Sequence, residues 1–94
     1  MTIKGDDHVT LCLRKKDLEW RDIDDEIVAL DAQGAVYLAV HGSGAFLWRL
    51  LADSSTRDGL VDALVETYEI DAARAGDDVD EFLTTLNERG LLAS

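Results

Sequence analysis

The chain has no proline and a single cysteine, Cys12, among its 94 residues. One cysteine cannot close an internal disulfide. Joined only by His8 and His41, it does not make the ligand cluster that a structural zinc requires. Without proline, sharp turns fall to Gly and Asp. No run of eighteen apolar residues occurs, so no transmembrane helix is expected. The first ten residues, MTIKGDDHVT, carry acids where a secretory signal would need an apolar core, and a cytoplasmic location is expected. Bases are scarce as well: 9 Lys and Arg stand against 20 Asp and Glu, for a net charge of −11. A field of that sign repels phosphate backbones and anionic membranes, so the expected partners include no nucleic acid and no membrane. It favours a basic or neutral polypeptide, and it also keeps a small protein soluble.

The apolar fraction of 47% is that of a globular chain. This length makes one domain with a modest core, too small for a deep catalytic cleft. Val9, Leu11 and Leu13 alternate with polar neighbours, as a first strand or a pairing arm would. Residues 1–17 are therefore read as an N-terminal arm and 18–94 as the folded domain. Arg14-Lys15-Lys16 is the one basic cluster and reads as a solvated loop rather than a phosphate site.

The expected fold class is α+β: a three-stranded antiparallel sheet followed by three helices, winged-helix-like. Leu18–Ile23 alternates, with Leu18, Trp20 and Asp22 on one side, and is charged as an edge strand should be. Asp24-Asp25 turns into a second strand, Glu26–Asp31, with Ile27 and Ala29 on one face and Val28 and Leu30 on the other. A hairpin turn over Asp31–Gly34, with Gly34 free to take positive φ, leads to a third strand, Ala35–Val40. There Val36, Leu38 and Val40 share one face, and Tyr37 and Ala39 the other. Hairpin-joined strands lie side by side, so the first and third strands should be the outer ones. Such a meander needs a helical cover. Ser43 is the expected N-cap of a helix over 44–53, with Trp48 buried against the sheet. Thr56 should cap a helix over Arg57–Tyr68, where Leu60, Val61, Leu64, Val65 and Tyr68 follow helical spacing. Asp71 should cap a third helix reaching about Arg89, striped by Val79, Phe82, Leu83 and Leu86. Gly90 stops it, and Leu91-Leu92 can fold back as an apolar tail.

No catalytic constellation emerges. His41 and Ser43 in HGSGA superficially resemble a nucleophile elbow, but the spacing is wrong and the sheet too small; a turn is the better reading. The run Asp77-Asp78-Val79-Asp80-Glu81 lacks the alternating oxygens and central Gly of a calcium loop; interaction with the helix N-terminal dipole would account for it. A DNA-reading helix would need Lys and Arg where this last helix has mainly acids.

Ala35–Val40 has no Lys, no Pro and no charge. An outer strand this bare is a liability unless something covers it. It could accept an extended peptide by strand addition, the main chain supplying affinity and side-chain pockets supplying specificity. The candidate surface is Val36, Tyr37, Leu38, Ala39 and Val40 together with the flank of the last helix: Asp78, Phe82, Thr85 and Leu86. Plain core packing is the alternative for those helix residues, Phe82 above all.

The ordered features resemble the PqqD family from about Leu18 to Leu92. They are Leu30-Asp31 ending the middle strand, Tyr37 in the next, and a helix entry at Ser43-Gly44-Ala45. Trp48 in an apolar helix follows, then Asp78, Val79, Phe82, Leu83 and Leu86 in a D-V-x-x-F-L-x-x-L pattern, and Gly90-Leu91-Leu92. The resemblance implies a domain that recognises ribosomally made, modified peptides. The leader segment of the precursor would add alongside the third strand, in a groove closed by the third helix. The domain would present it to a modifying partner such as a radical SAM enzyme or a leader peptidase, with no catalysis, cofactor or metal of its own. His41 departs from the Asn usual in the family, a residue better suited to αL geometry. The rival readings are a structural module that homodimerises through the same edge and a winged-helix nucleic-acid binder, the latter disfavoured by charge.

Overall fold

A computed structural model describes residues 9–93. Three strands, β1 (Leu18–Ile23), β2 (Glu26–Asp31) and β3 (Val36–His41), precede three helices, α1 (Ser43–Ala52), α2 (Arg57–Tyr68) and α3 (Ala72–Glu88). The sheet runs in the order β1-β2-β3, all antiparallel, so β1 and β3 are the outer strands as expected. The α+β reading holds.

The register follows from the alternation of side chains. Trp20 lies opposite Ala29, and Ala29 opposite Leu38; Ile27 lies opposite Val40. Residues paired across an antiparallel ladder share a face. Ile27 and Ala29 are fully buried, so this face carries the core and the helices cover it. Val28, Leu30, Tyr37 and Ala39 occupy the other face. Asp24 and Asp25 both adopt positive φ, 50° and 67°, which makes the first hairpin a two-residue turn whose twist matches its strands. The second hairpin departs from expectation. Its left-handed residue is Ala35, with φ 54°, rather than Gly34, and the strand begins one residue later, at Val36. Asp31 organises this turn by accepting a hydrogen bond from the Gln33 amide at 3.1 Å.

α1 starts one residue earlier than the sequence indicated. Gly42, not Ser43, is its N-cap; Ser43 is the first helical residue, and no side chain caps the helix. Gly42 takes φ 63° and ψ −137°, a conformation that side chains disfavour. The backbone reversal therefore falls on Gly42, and His41 keeps negative φ. The other two caps form as expected. Thr56 Oγ1 accepts from the Gly59 amide at 3.0 Å, and Asp71 Oδ1 from the Arg74 amide at 2.8 Å. α3 closes with the Leu91 amide donating to the Leu86 carbonyl and the Gly90 amide to Asn87, a Schellman-type end.

The core joins the inner face of the sheet to Leu47, Trp48 and Leu51 of α1, Leu60 and Leu64 of α2, and Ala75, Val79 and Leu86 of α3. Each large apolar side chain fully buried here contributes roughly 1.5–3 kcal/mol. Trp48 is fully buried and meets Trp20 edge to face, with centroids 6.1 Å apart. Leu91 is also fully buried, so the tail folds back as expected.

Residues 9–17 lie along the helical layer; the rest of the expected arm, residues 1–8, lies outside the described residues. Leu11 exchanges two backbone hydrogen bonds with Ser55, between α1 and α2. Leu13 bridges to Leu92 and is buried. The basic cluster is not wholly a solvated loop. Lys15 and Lys16 are exposed, but Arg14 donates to Asp31 Oδ1 and, at 2.7 Å, to the Gly90 carbonyl. One guanidinium thus ties the arm, the end of β2 and the end of α3 together. Its hydrogen bond holds the Asp31 carboxyl below the usual carboxylate range.

Candidate peptide-binding site

α3 packs mainly on α2, whereas β3 is covered by α1. A groove of about 490 Å³ therefore stays open between β3 and α3. Leu38 and Val40 form its strand wall, and Asp78, Phe82, Thr85 and Leu86 its helix wall. Leu47 and Trp48 of α1 lie at its floor. Gly44 sets how closely α1 approaches β3, since a Cβ there would meet Val40 Cγ1 at 2.8 Å. Its small size is what lets the helix begin against the strand.

The groove brings together Leu38, Val40, Asp78, Phe82, Thr85 and Leu86 of the residues singled out from sequence. Val36 lines an adjoining recess with Asp31, Leu38 and Arg89. Tyr37 and Ala39 lie on the far face of the sheet, and Tyr37 is 74% exposed. Their side chains are outside the groove; only their backbone belongs to the edge. Phe82 is half-buried, packing against the core while lining the groove, so both readings of it apply.

The backbone of β3 bonds β2 on one side only. Among the described residues, no main-chain hydrogen bond outside the ladder involves any residue from Val36 to Val40. Half the N–H and C=O groups of an outer strand point away from its neighbour. Here that free edge borders the groove, which has α3 on its far side.

The acids of α3 serve a different purpose from the one the sequence implied. The first turn of the helix holds none, and the dipole effect fades beyond it. Asp80 instead forms a two-pronged pair with Arg57 of α2, at 2.7 and 3.0 Å, which keeps its carboxyl below the usual range and clamps α3 to α2. That clamp lies on the flank away from the groove. Arg74 and Asp78 pair loosely along the helix at 4.0 Å. Sequence reasoning missed Arg74, Glu81 and Arg89, which also border the groove. The signal was present: with Asp78 and Thr85 they recur every three or four residues and so share one helix face. Among the described residues no group of His, Cys, Asp or Glu could hold a metal ion, and no helix is long and apolar enough to cross a membrane.

A sheet edge of this kind, held open beside a helix, has the geometry of a binding surface. Residues 26–92 match the family described as coenzyme PQQ synthesis protein D, and the chain belongs to this PqqD family. It is similar in structure to TbiB1, solved in complex with the TbiA(beta) leader peptide, with a TM-score of 0.80 and 29% identity over 85% of this chain and 93% of that one. It also resembles lasso peptide synthetase B1, complexed with the leader peptide, with a TM-score of 0.78 and 23% identity over 89% of this chain and 98% of that one. At the latter identity the likeness concerns the fold. No curated protein matched the chain.

Proposed function

We propose that this chain is a recognition domain for the leader segment of a ribosomally made precursor peptide. The leader adds as a fourth strand on the free edge of β3, with alternate side chains in the groove against α3. The domain presents the bound precursor to a separate modifying enzyme or leader peptidase and performs no chemistry itself. One observation carries the reading: an uncharged outer strand, its outer backbone unpaired among the described residues, borders a groove with an apolar floor, where a bare edge would otherwise invite aggregation. Family membership and the likeness to TbiB1, solved with a leader peptide, support it.

The test is fluorescence polarisation with labelled leader peptides from candidate precursors, run alongside sedimentation of the free and peptide-bound protein. Saturable binding by a monomer, weakened by changes in the groove, is the expected outcome. A stable dimer that ignores every peptide would instead favour self-pairing through β3. Trp48 gives a second readout, because a peptide in the groove should shift the fluorescence of a tryptophan lying at its floor.

A further inference from the structure

The groove has a charge pattern on its helix wall that goes beyond apolar strand addition. Arg74, Asp78, Glu81, Thr85 and Arg89 share one face of α3. Arg74 and Asp78 are partners to each other. Glu81 and Arg89, both exposed and both bordering the groove, make no side-chain hydrogen bond or ion pair among the described residues. They carry opposite charges. The strand wall cannot answer them, since Val36–Val40 carries no charge.

Eight positions separate Glu81 from Arg89, about 12 Å along a helix at 1.5 Å per residue. A strand rises about 3.3 Å per residue, so four residues of an added strand span nearly the same distance. Residues four apart on a strand also point to the same face. We infer that the groove reads a pair of opposite charges four residues apart on the bound peptide, a Lys or Arg answering Glu81 and an Asp or Glu answering Arg89. Between them an apolar residue lies over Phe82 and Leu86. The inference rests on the leader-binding reading and deepens it by naming the class of sequence recognised. It also gives the bound strand one direction, because reversing the peptide would set like charges against each other.

The experiment uses a displayed library of random decapeptides, selected against the full chain, against Glu81→Lys, against Arg89→Glu, and against the double variant. Both positions are exposed at the surface, and circular dichroism checks that each variant folds. The wild type should enrich peptides with a base and an acid four apart. Glu81→Lys should replace the base by an acid, Arg89→Glu the acid by a base, and the double variant should invert both. With one selected peptide in fluorescence polarisation, each single reversal should weaken binding about three- to fivefold, and the matching reversal in the peptide should restore it. The loss should shrink as salt is raised. Selected peptides that bind but show no such pair, or the same pair against all four proteins, would overturn this inference and leave leader binding standing. A library yielding no binder to the wild type would count against the groove itself and the inference with it.

Discussion

The two outer strands of one small sheet have opposite characters. β1 carries Glu19, Arg21 and Asp22 on a short, exposed strand, and Asp22 is held by a two-pronged ion pair from Arg49 of α1. β3 carries no charge from Val36 to Val40 and borders a groove with an apolar floor. Charge on an edge deters pairing with another chain. One edge is therefore closed by its own side chains, and the other is left for a visitor. The contrast teaches that the sheet is sided, and under the proposed reading strand addition is directed to β3.

Trp48 touches both halves of this contrast, meeting Trp20 of β1 edge to face and lying at the floor of the groove beside β3. Trp48→Ala should have the largest effect, about 3–5 kcal/mol of lost stability in denaturant unfolding, together with loss of peptide binding. Trp48 Nε1 is buried without a hydrogen-bond partner among the described residues. Trp48→Phe should therefore cost much less, because it removes a polar group that already lacks an acceptor.

Proline sharpens the comparison further. Successive N–H groups of a strand point to opposite sides, so of Leu38 and Ala39 one bonds β2 and the other points to the open edge. Leu38→Pro and Ala39→Pro should thus split. One lowers the melting temperature by breaking the ladder; the other leaves the fold intact and weakens peptide binding roughly tenfold for the lost main-chain bond. Arg21→Pro on β1 should not alter binding beyond any effect on stability. Equal loss of binding from either edge would break the comparison.

Blocking the groove without touching the core gives the next effect. Thr85→Arg places a long side chain in the channel from an exposed position, and should weaken leader binding several-fold while the melting temperature holds.

The smallest effect concerns the clamp beneath the β2–β3 turn. Arg14 depresses the Asp31 carboxyl in the folded state. A depressed carboxylate contributes stability that is present above its unfolded value, near about 3.9, and is lost as pH falls through the lower folded value. Arg14→Gln should therefore be less stable than wild type at neutral pH. The gap should narrow below about pH 4, as followed by urea unfolding across the pH range.

Much of the fold was legible because it depends on short-range rules. Alternation set the strands and their faces, and Thr56 and Asp71 marked two helix starts. The misreadings share a physical reason. Gly34 and Ser43 suit the roles assigned to them locally, but the register of β3 and the close approach of α1 at Gly44 moved the reversals to Ala35 and Gly42. Arg14 and Asp80 looked like surface charges because their partners, Asp31 with the Gly90 carbonyl and Arg57, are remote in sequence. Of the candidate site, Leu38 and Val40 followed from alternation, whereas Asp78, Phe82, Thr85 and Leu86 were singled out with the family resemblance, which sets the groove between the third strand and the third helix. The exclusion of the Tyr37 and Ala39 side chains from the groove required the register and the position of α3 together.

By itself the sequence determined that this chain is a small acidic α+β domain with an uncharged strand ending in a glycine-rich turn. Composition and alternation are properties of neighbours along the chain, and they need no knowledge of what packs where. Only the tertiary structure decided that β3 is flanked by a channel rather than by a helix in contact. α3 spends its buried face on α2 and its Asp80–Arg57 clamp on the far flank, so it stands off from the strand. That separation leaves room for one more strand, and it leaves Glu81 and Arg89 facing the space that strand would fill.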